Sequence, residues 1–207
     1  VFVGGFDLPA AEQVCGTDPV DPDDVVYLLG SLVEKSLVML EENEEGARYR
    51  MLETIRDYAR EKLESAGGTA AAAARHCEHF FVMAKDANRG LQGPEQAEWL
   101  MRVETEHDNI RSAMALALTG QVDAFIAVKF AVAMQAFWTL RGYSTEGRSY
   151  VRTALALPAI QASDLAQAWG LYVGAALAET QSDHAEARRM LEACLVLRRR
   201  LGNPVEV

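Results

Sequence analysis

Apolar residues recur every three or four positions along most of this chain, and one short stretch departs from that rhythm. Val25, Leu28, Leu29, Leu32 and Val33 make a helical stripe. Asp21-Pro22-Asp23-Asp24 opens it with a capping carboxylate, a proline for the first turn and two more carboxylates at the positive end of the dipole. Ser36-Leu37-Val38-Met39-Leu40 reads as a strand, Asn43-Glu44-Glu45-Gly46 as a turn, and Arg48-Tyr49-Arg50-Met51 as the returning strand. The helical rhythm resumes with no loop between, through Leu52, Ile55, Ala59 and Leu63. Ahead of all this, Phe2-Val3 reads as the end of a truncated helix stopped by Gly4-Gly5. Asp7 caps a short helix through Ala10, Ala11 and Val14 that ends at Gly16.

The remainder is helical. One helix is expected from about Thr69 to Ala87, burying Ala73, Cys77, Phe80, Ala84 and Ala87, with Gly90 and Gly93-Pro94 as breakers. A single helix is expected from Glu95 to Leu118, carrying Trp99, Leu100, Val103, Ile110, Ala113, Met114 and Ala117. Residues 142–157 (GYSTEGRSYVRTALAL) then align with residues 182–197 (SDHAEARRMLEACLVL) at an offset of 40. Glu146 falls on Glu186, Arg148 on Arg188, Tyr150 on Met190, Val151 on Leu191, Ala154 on Cys194, Leu155 on Leu195 and Leu157 on Leu197. Apolar helices over 123–141 and 164–180 precede the two copies. Repeated helical hairpins imply stacked antiparallel pairs. Trp138, Gly142, Tyr143, Ala154 and Pro158 approximate the tetratricopeptide pattern, at a spacing longer than its usual ~34 residues.

The fold class expected is therefore mainly α. A winged helix with a small β-hairpin occupies residues 1–66, and an α-helical tetratricopeptide-like array occupies 67–207. The boundary falls at Ser65-Ala66-Gly67-Gly68-Thr69, where glycines end one helix and threonine caps the next. Among 207 residues, the apolar start Val1-Phe2-Val3 reads as the tail of an element begun earlier in a longer polypeptide. No apolar run is long enough to span a bilayer, so no membrane partner is expected. Cys15, Cys77 and Cys194, odd in number and far apart, suit reduced, buried thiols in a cytoplasmic protein.

Charge changes what a winged helix would suggest. Of the net −10, residues 1–66 hold −9, from 15 acidic and 6 basic side chains. Nonspecific DNA affinity comes from Lys and Arg neutralising phosphates. The helix of residues 22–35, which would enter a groove, sets Asp23, Asp24 and Glu34 against Lys35 alone. The wing tip carries Glu41, Glu42, Glu44 and Glu45. No DNA contact is expected through this fragment, and the acidic patches are either solvated or face a basic surface elsewhere in the polypeptide.

Candidate chemistry is sparse. His76 and His79 stand three apart on a helix beside Cys77, a spacing open to a metal but lacking evident further ligands. Glu104, Glu106, His107 and Asp108 cluster as acid–base groups would, or as the polar side of a helix junction. Arg198-Arg199-Arg200 sits where cations suit a helix C-terminus. Neither a phosphate-binding GxxxxGK[ST] loop nor a GxSxG or HExxH motif occurs, so no catalytic residue is expected, and no metal site is assigned.

VFVGGFDLPAAEQVCG, LLGSLVEKSLV, RYRMLETIRDYAREKL and EHDNIRSAM together resemble the bacterial branch of the STAND-class signalling ATPases, which includes LuxR-type transcriptional regulators. The resemblance is family-specific from residue 1 to about 118 and generic beyond. It implies a nucleotide-binding module elsewhere in the parent, with ATP or ADP as its cofactor, and a helical array that senses a protein or small-molecule inducer. In that class a Met-His-Asp triplet at the strand–helix junction contacts bound ADP through its histidine. The matching residues here are Met51, Leu52 and Glu53. Leucine cannot donate to a phosphate. The alternative, with Leu52 in the core and Glu53 supporting the first helical turn, stays open. Either way wing and helix would move as one piece.

The expected role is a non-catalytic segment coupling the absent nucleotide-binding module to the sensing array. The alternatives are an interaction scaffold without nucleotide dependence and an autonomous DNA-binding winged helix. Tyr58, between Arg56, Asp57 and Arg60, suits a half-buried contact with the helix of residues 69–88 near Phe80 or Phe81.

Overall fold

The computed structural model describes residues 1–43 and 46–202. It is mainly helical with one antiparallel hairpin, the winged-helix-plus-helical-array class expected. Packing divides it into two compact units. The first is Val1–Val82 with Thr105–Ala113, and the second is Met83–Glu104 with Met114–Val207. The first unit runs past the glycine pair at 67–68 and takes in a later segment of chain.

In the first unit, helix α1 (Leu8–Cys15) is capped by the Asp7 carboxylate, which accepts from Ala10 N at 2.8 Å. Asp21 caps a short 3-10 turn, Pro22–Asp24, that feeds α2 (Val25–Glu34). Strands β1 (Met39–Asn43) and β2 (Gly46–Arg50) pair with Met39 opposite Arg50 and Glu41 opposite Arg48. Helix α3 (Glu53–Ser65) follows β2 after only Met51 and Leu52. The core joins Phe6, Ala10, Ala11, Val25, Leu29, Val38 and Tyr49, with Phe2, Leu8 and Met51 among its partly buried neighbours.

Several expectations change here. Residues 1–7 form no helix. Gly4 has φ +86°, a conformation that favours glycine, and the chain then extends so that Phe6 pairs with Tyr49. Phe6 N donates to Tyr49 O at 3.0 Å, and Tyr49 N donates to Phe6 O at 2.8 Å. The wing thus gains a one-residue third rung. The first strand begins at Met39 rather than Ser36, because Ser36 turns left-handed (φ +58°) after α2. Of the wing-tip acids, Glu41 and Glu42 lie exposed on β1, while Glu44 and Glu45 fall outside the described residues.

Two apolar stripes are narrower than expected. On α2, Val25 and Leu29 are buried and Leu32 and Val33 half-buried, but Leu28 sits beyond the edge of the stripe and is 48 % exposed. On α3, Ile55, Ala59 and Leu63 are half-buried, whereas Leu52 is 55 % exposed. Leu52 ends the strand path in an extended conformation (ψ 147°) one residue before the helix, so it lies outside the helical stripe and outside the core.

Helix α4 (Thr69–Gly90) begins in the first unit and ends in the second. The single helix expected over 95–118 is two, α5 (Gln96–Thr105) and α6 (His107–Ala117), interrupted at Glu106. In the second unit, α7 (Phe125–Arg141), α8 (Ser144–Leu155), a one-turn α9 (Pro158–Gln161), α10 (Asp164–Thr180) and α11 (His184–Arg200) follow in order. Helix α7 packs on α8 and α10, and α10 packs on α8 and α11, which makes stacked antiparallel pairs. The α9 turn lies in the connection between the pairs and helps stretch their spacing.

Glycines inside these helices let side chains of neighbouring helices approach. A Cβ on Gly147 of α8 would lie 2.6 Å from the Trp138 ring. One on Gly170 of α10 would meet Leu155 at 2.7 Å, and one on Gly174 would meet Met190 Sδ at 2.8 Å. Trp138, Phe130, Phe137 and Leu177 are fully buried around them. Caps finish the ends: Ser163 Oγ accepts from Ala166 N, and Asp183 Oδ1 accepts from Glu186 N.

Candidate functional site

The acidic cluster at 104–108 is the most informative polar feature, and the break between α5 and α6 takes it apart. Glu104 ends in the second unit, where Tyr143 Oη donates to it at 2.6 Å and Arg141 Nε lies at 3.2 Å. Asp108 stays at the surface beside Arg111, at 3.5 Å. Glu106 is buried in the first unit and pairs with Arg48 from β2. The arrangement does not converge on a substrate. It fixes segments of chain to one another.

Asn109 completes that fixation. Its side-chain amide donates to Glu106 Oε2 and to Gly5 O, both at 2.7 Å, and its Oδ1 accepts from Val3 N at 2.7 Å. Both amide protons meet oxygens and the carbonyl meets an N–H, so donors and acceptors match. Arg48, Glu106, Asn109 and the backbone at residues 3–5 thus form one buried network, with the Arg48 and Glu106 side chains only 15 % and 8 % exposed. A buried ion pair is specific rather than strongly stabilising, because desolvation offsets much of the attraction. Its loss on one side is costly for the same reason.

An aromatic and histidine cluster backs the network. Phe2 stacks on Phe6 with ring centres 4.4 Å apart, and Phe6 stacks on Tyr49 at 5.8 Å. Phe2 also meets His76 at 5.4 Å and Phe80 at 6.4 Å. His76 is buried, and its Nε2 has no hydrogen-bond partner among the described residues. Burial foremost lowers its pKa to about 4, while a hydrogen bond with Asn109 opposes the shift. His76 is therefore a neutral packing residue at ordinary pH. His79, its expected partner, instead lies 3.5 Å from Gln13 and packs its edge on Phe80. Cys77 donates to Ala113 O, and burial pushes its thiol up to about 11. Cys194 is buried as expected, whereas Cys15, the last residue of α1, is exposed.

Leu52 and Glu53, the positions matching the nucleotide-sensing triplet, lie exposed at the start of α3. Glu53 belongs to the first turn and reaches Arg56 at 3.7 Å. Tyr58 is 58 % exposed with Lys62 Nζ 5.1 Å from its ring centre. Phe80 is fully buried and takes ring contacts from Phe2, His76 and His79, while Phe81 is half-buried. Arg48 and Asn109 were not singled out as site residues by sequence. The alternation of Arg48-Tyr49-Arg50 with Tyr49 inward gave no hint that Arg48 would be covered from the other side.

Residues 1–64 match the family of winged helix-turn-helix domains. Over 155 residues, 74 % of this chain, the sequence is 37 % identical to proteins named "Putative HTH-type transcriptional regulator", Rv0890c of Mycobacterium tuberculosis H37Rv and Mb0914c of Mycobacterium bovis. A second M. tuberculosis relative, named "Uncharacterized protein Rv0894", is 39 % identical over 81 residues, 39 % of this chain and 21 % of its own length. The chain spans 17 % of the length of the two regulators it matches. No solved structure matches it. No helix among the described residues is long and apolar enough to cross a membrane.

Proposed function

We propose that this chain is the coupling segment of a transcriptional regulator of the STAND type. In it, a winged helix transmits the state of a nucleotide-binding module to a tetratricopeptide-like sensing array. The observation that carries this reading is the Arg48–Glu106–Asn109 network. It holds the wing, the segment at residues 3–5 and the first turn of α6 as one body, which is what transmission of a movement requires. The relatives' names and the winged helix-turn-helix match support the regulatory role. On this reading ATP or ADP binds the parent's own module, and the junction at Leu52 and Glu53 faces it. The array takes a protein or small-molecule inducer, and the exposed Tyr58 edge of α3 is left for a contact outside this unit. The segment itself performs no catalysis.

Hydrogen exchange on the parent polypeptide tests the proposal. Protection at residues 46–64 and 106–113 should change together between its ADP-bound and ATP-bound forms. Change in only one of the two segments sinks it.

A second reading is favoured by the winged helix-turn-helix match itself, since domains of that class suggest direct DNA binding. Against it, the exposed positions of α2 carry Glu34 and no Lys or Arg, with Asp23 and Asp24 just ahead. A titration of the chain against duplex DNA over a range of salt decides. Binding that weakens steeply with salt and is lost on substituting Arg50 or Lys35 would establish the second reading.

A further inference from the structure

Helix α2 presents an outer face that the fold does not use. Tyr27 on that face is 76 % exposed, and Val26 and Leu28 flank it, both largely exposed. Leu37, Met39 and Leu40, in the segment after the helix, are also partly exposed. Between the turns of this face sits Gly30. A Cβ built there meets nothing within 4 Å among the described residues, in contrast to Gly147, Gly170 and Gly174, each of which faces a neighbour closer than 3.0 Å. Glycine inside a helix is unfavourable relative to alanine, and no internal packing compensates it at Gly30. An open glycine beside a projecting tyrosine lets a partner's backbone come close while the ring packs against its side. The ends of the helix are mainly acidic: Asp21, Asp23 and Asp24 at its start and Glu34 near its end are exposed, with the exposed Lys35 directly after Glu34.

We propose that this face of α2 is a protein-docking surface whose occupant is a helix with an apolar ridge edged by Lys or Arg. The ridge lies over Gly30 against Tyr27, and its cationic edges meet the acidic ends of α2. The same charge disfavours a duplex in that place. The assignment stands on the surface of α2 and does not require nucleotide coupling.

The test uses the 207-residue chain and two designed helical peptides with the same leucine ridge, one edged by arginine and one by glutamate. Titration calorimetry should show binding of the arginine-edged peptide, weakening with salt, and none of the glutamate-edged one. Tyr27→Ala should weaken binding by about tenfold or more. Gly30→Ala is the discriminating variant, because it should raise the melting temperature while weakening the peptide. Glu34→Lys, at the exposed end of α2, should weaken the arginine-edged peptide with the melting temperature unchanged. Equal binding of both peptides, binding of neither, or a Gly30→Ala variant that binds as the parent chain does would overturn the proposal. So would duplex DNA that competes for the Tyr27 face.

Discussion

Arg48 on the wing donates to the buried carboxylate of Glu106, 58 residues further along the chain, in the one-residue gap between α5 and α6. The pair ties a solvent-facing hairpin to a helix start, and each charge depends on the other for its compensation. Replacing Arg48 with Met, or Glu106 with Ala, should destabilise the first unit by about 3 kcal/mol, since either change strands a buried charge or the polar groups around it. The double variant should lose much less than the sum of the two. Urea denaturation of the four proteins measures this, and additivity within about 0.5 kcal/mol would show that the pair is not coupled.

His76 gives the fold a pH dependence of definite sign. Its folded pKa of about 4 lies below the unfolded value of 6.5. Between these values the unfolded chain binds a proton that the folded chain refuses, so stability falls as pH drops. The contribution is complete above pH 6.5 and is lost progressively toward pH 4, about 3 kcal/mol in all. A His76→Phe variant should flatten that slope. An unchanged slope in denaturation midpoints across this window would assign it to other groups.

Glycines in the second unit should rank by what they face. Gly147→Ala drives a methyl into the rigid Trp138 ring and should cost about 1–3 kcal/mol. Gly174→Ala meets the end of Met190, a flexible side chain that can swing aside, and should cost less. Melting temperatures in the reverse order would contradict the packing of α8 and α10 described above.

Asp183 caps α11 and accepts from Arg148 Nη2 at 2.6 Å. That hydrogen bond, with the one from Glu186 N, holds its carboxyl below the ordinary value of 3.8. Its contribution is present above that value and is lost as pH falls through the lower folded one. Asp183→Asn should keep the cap and remove this acid-range dependence, whereas Asp183→Ala should also fray the start of α11. Amide exchange at Glu186 and Ala187 distinguishes the two variants.

Much of the helical architecture was legible because periodicity and caps act locally. Asp7 and Asp21 each cap a helical turn as expected, and the 40-residue repeat corresponds to α8 and α11. What was not legible depends on distant chain. The strand character of Phe6 comes from Tyr49, and the burial of Glu106 comes from Arg48 and Asn109. A helical wheel over 95–118 stays continuous because apolar spacing does not register a polar side chain held elsewhere. The repeat also hid an asymmetry. Val151 is buried, a built Cβ on Gly174 meeting it at 3.3 Å, whereas its equivalent Leu191 is 40 % exposed. Only packing distinguishes the two.

The central claim is that the wing and the turn at Glu106 are one mechanical body. Native-state hydrogen exchange on an Asn109→Ala variant tests it most directly, because Asn109 bonds both to Glu106 and to the backbone at Val3 and Gly5. The paired amides of Phe6 and Tyr49 and the amide of Ile110 should lose protection together and by similar factors. Faster exchange at Ile110 alone, with Phe6 and Tyr49 as slow as in the parent chain, would show that the wing is held without the network and would contradict the claim.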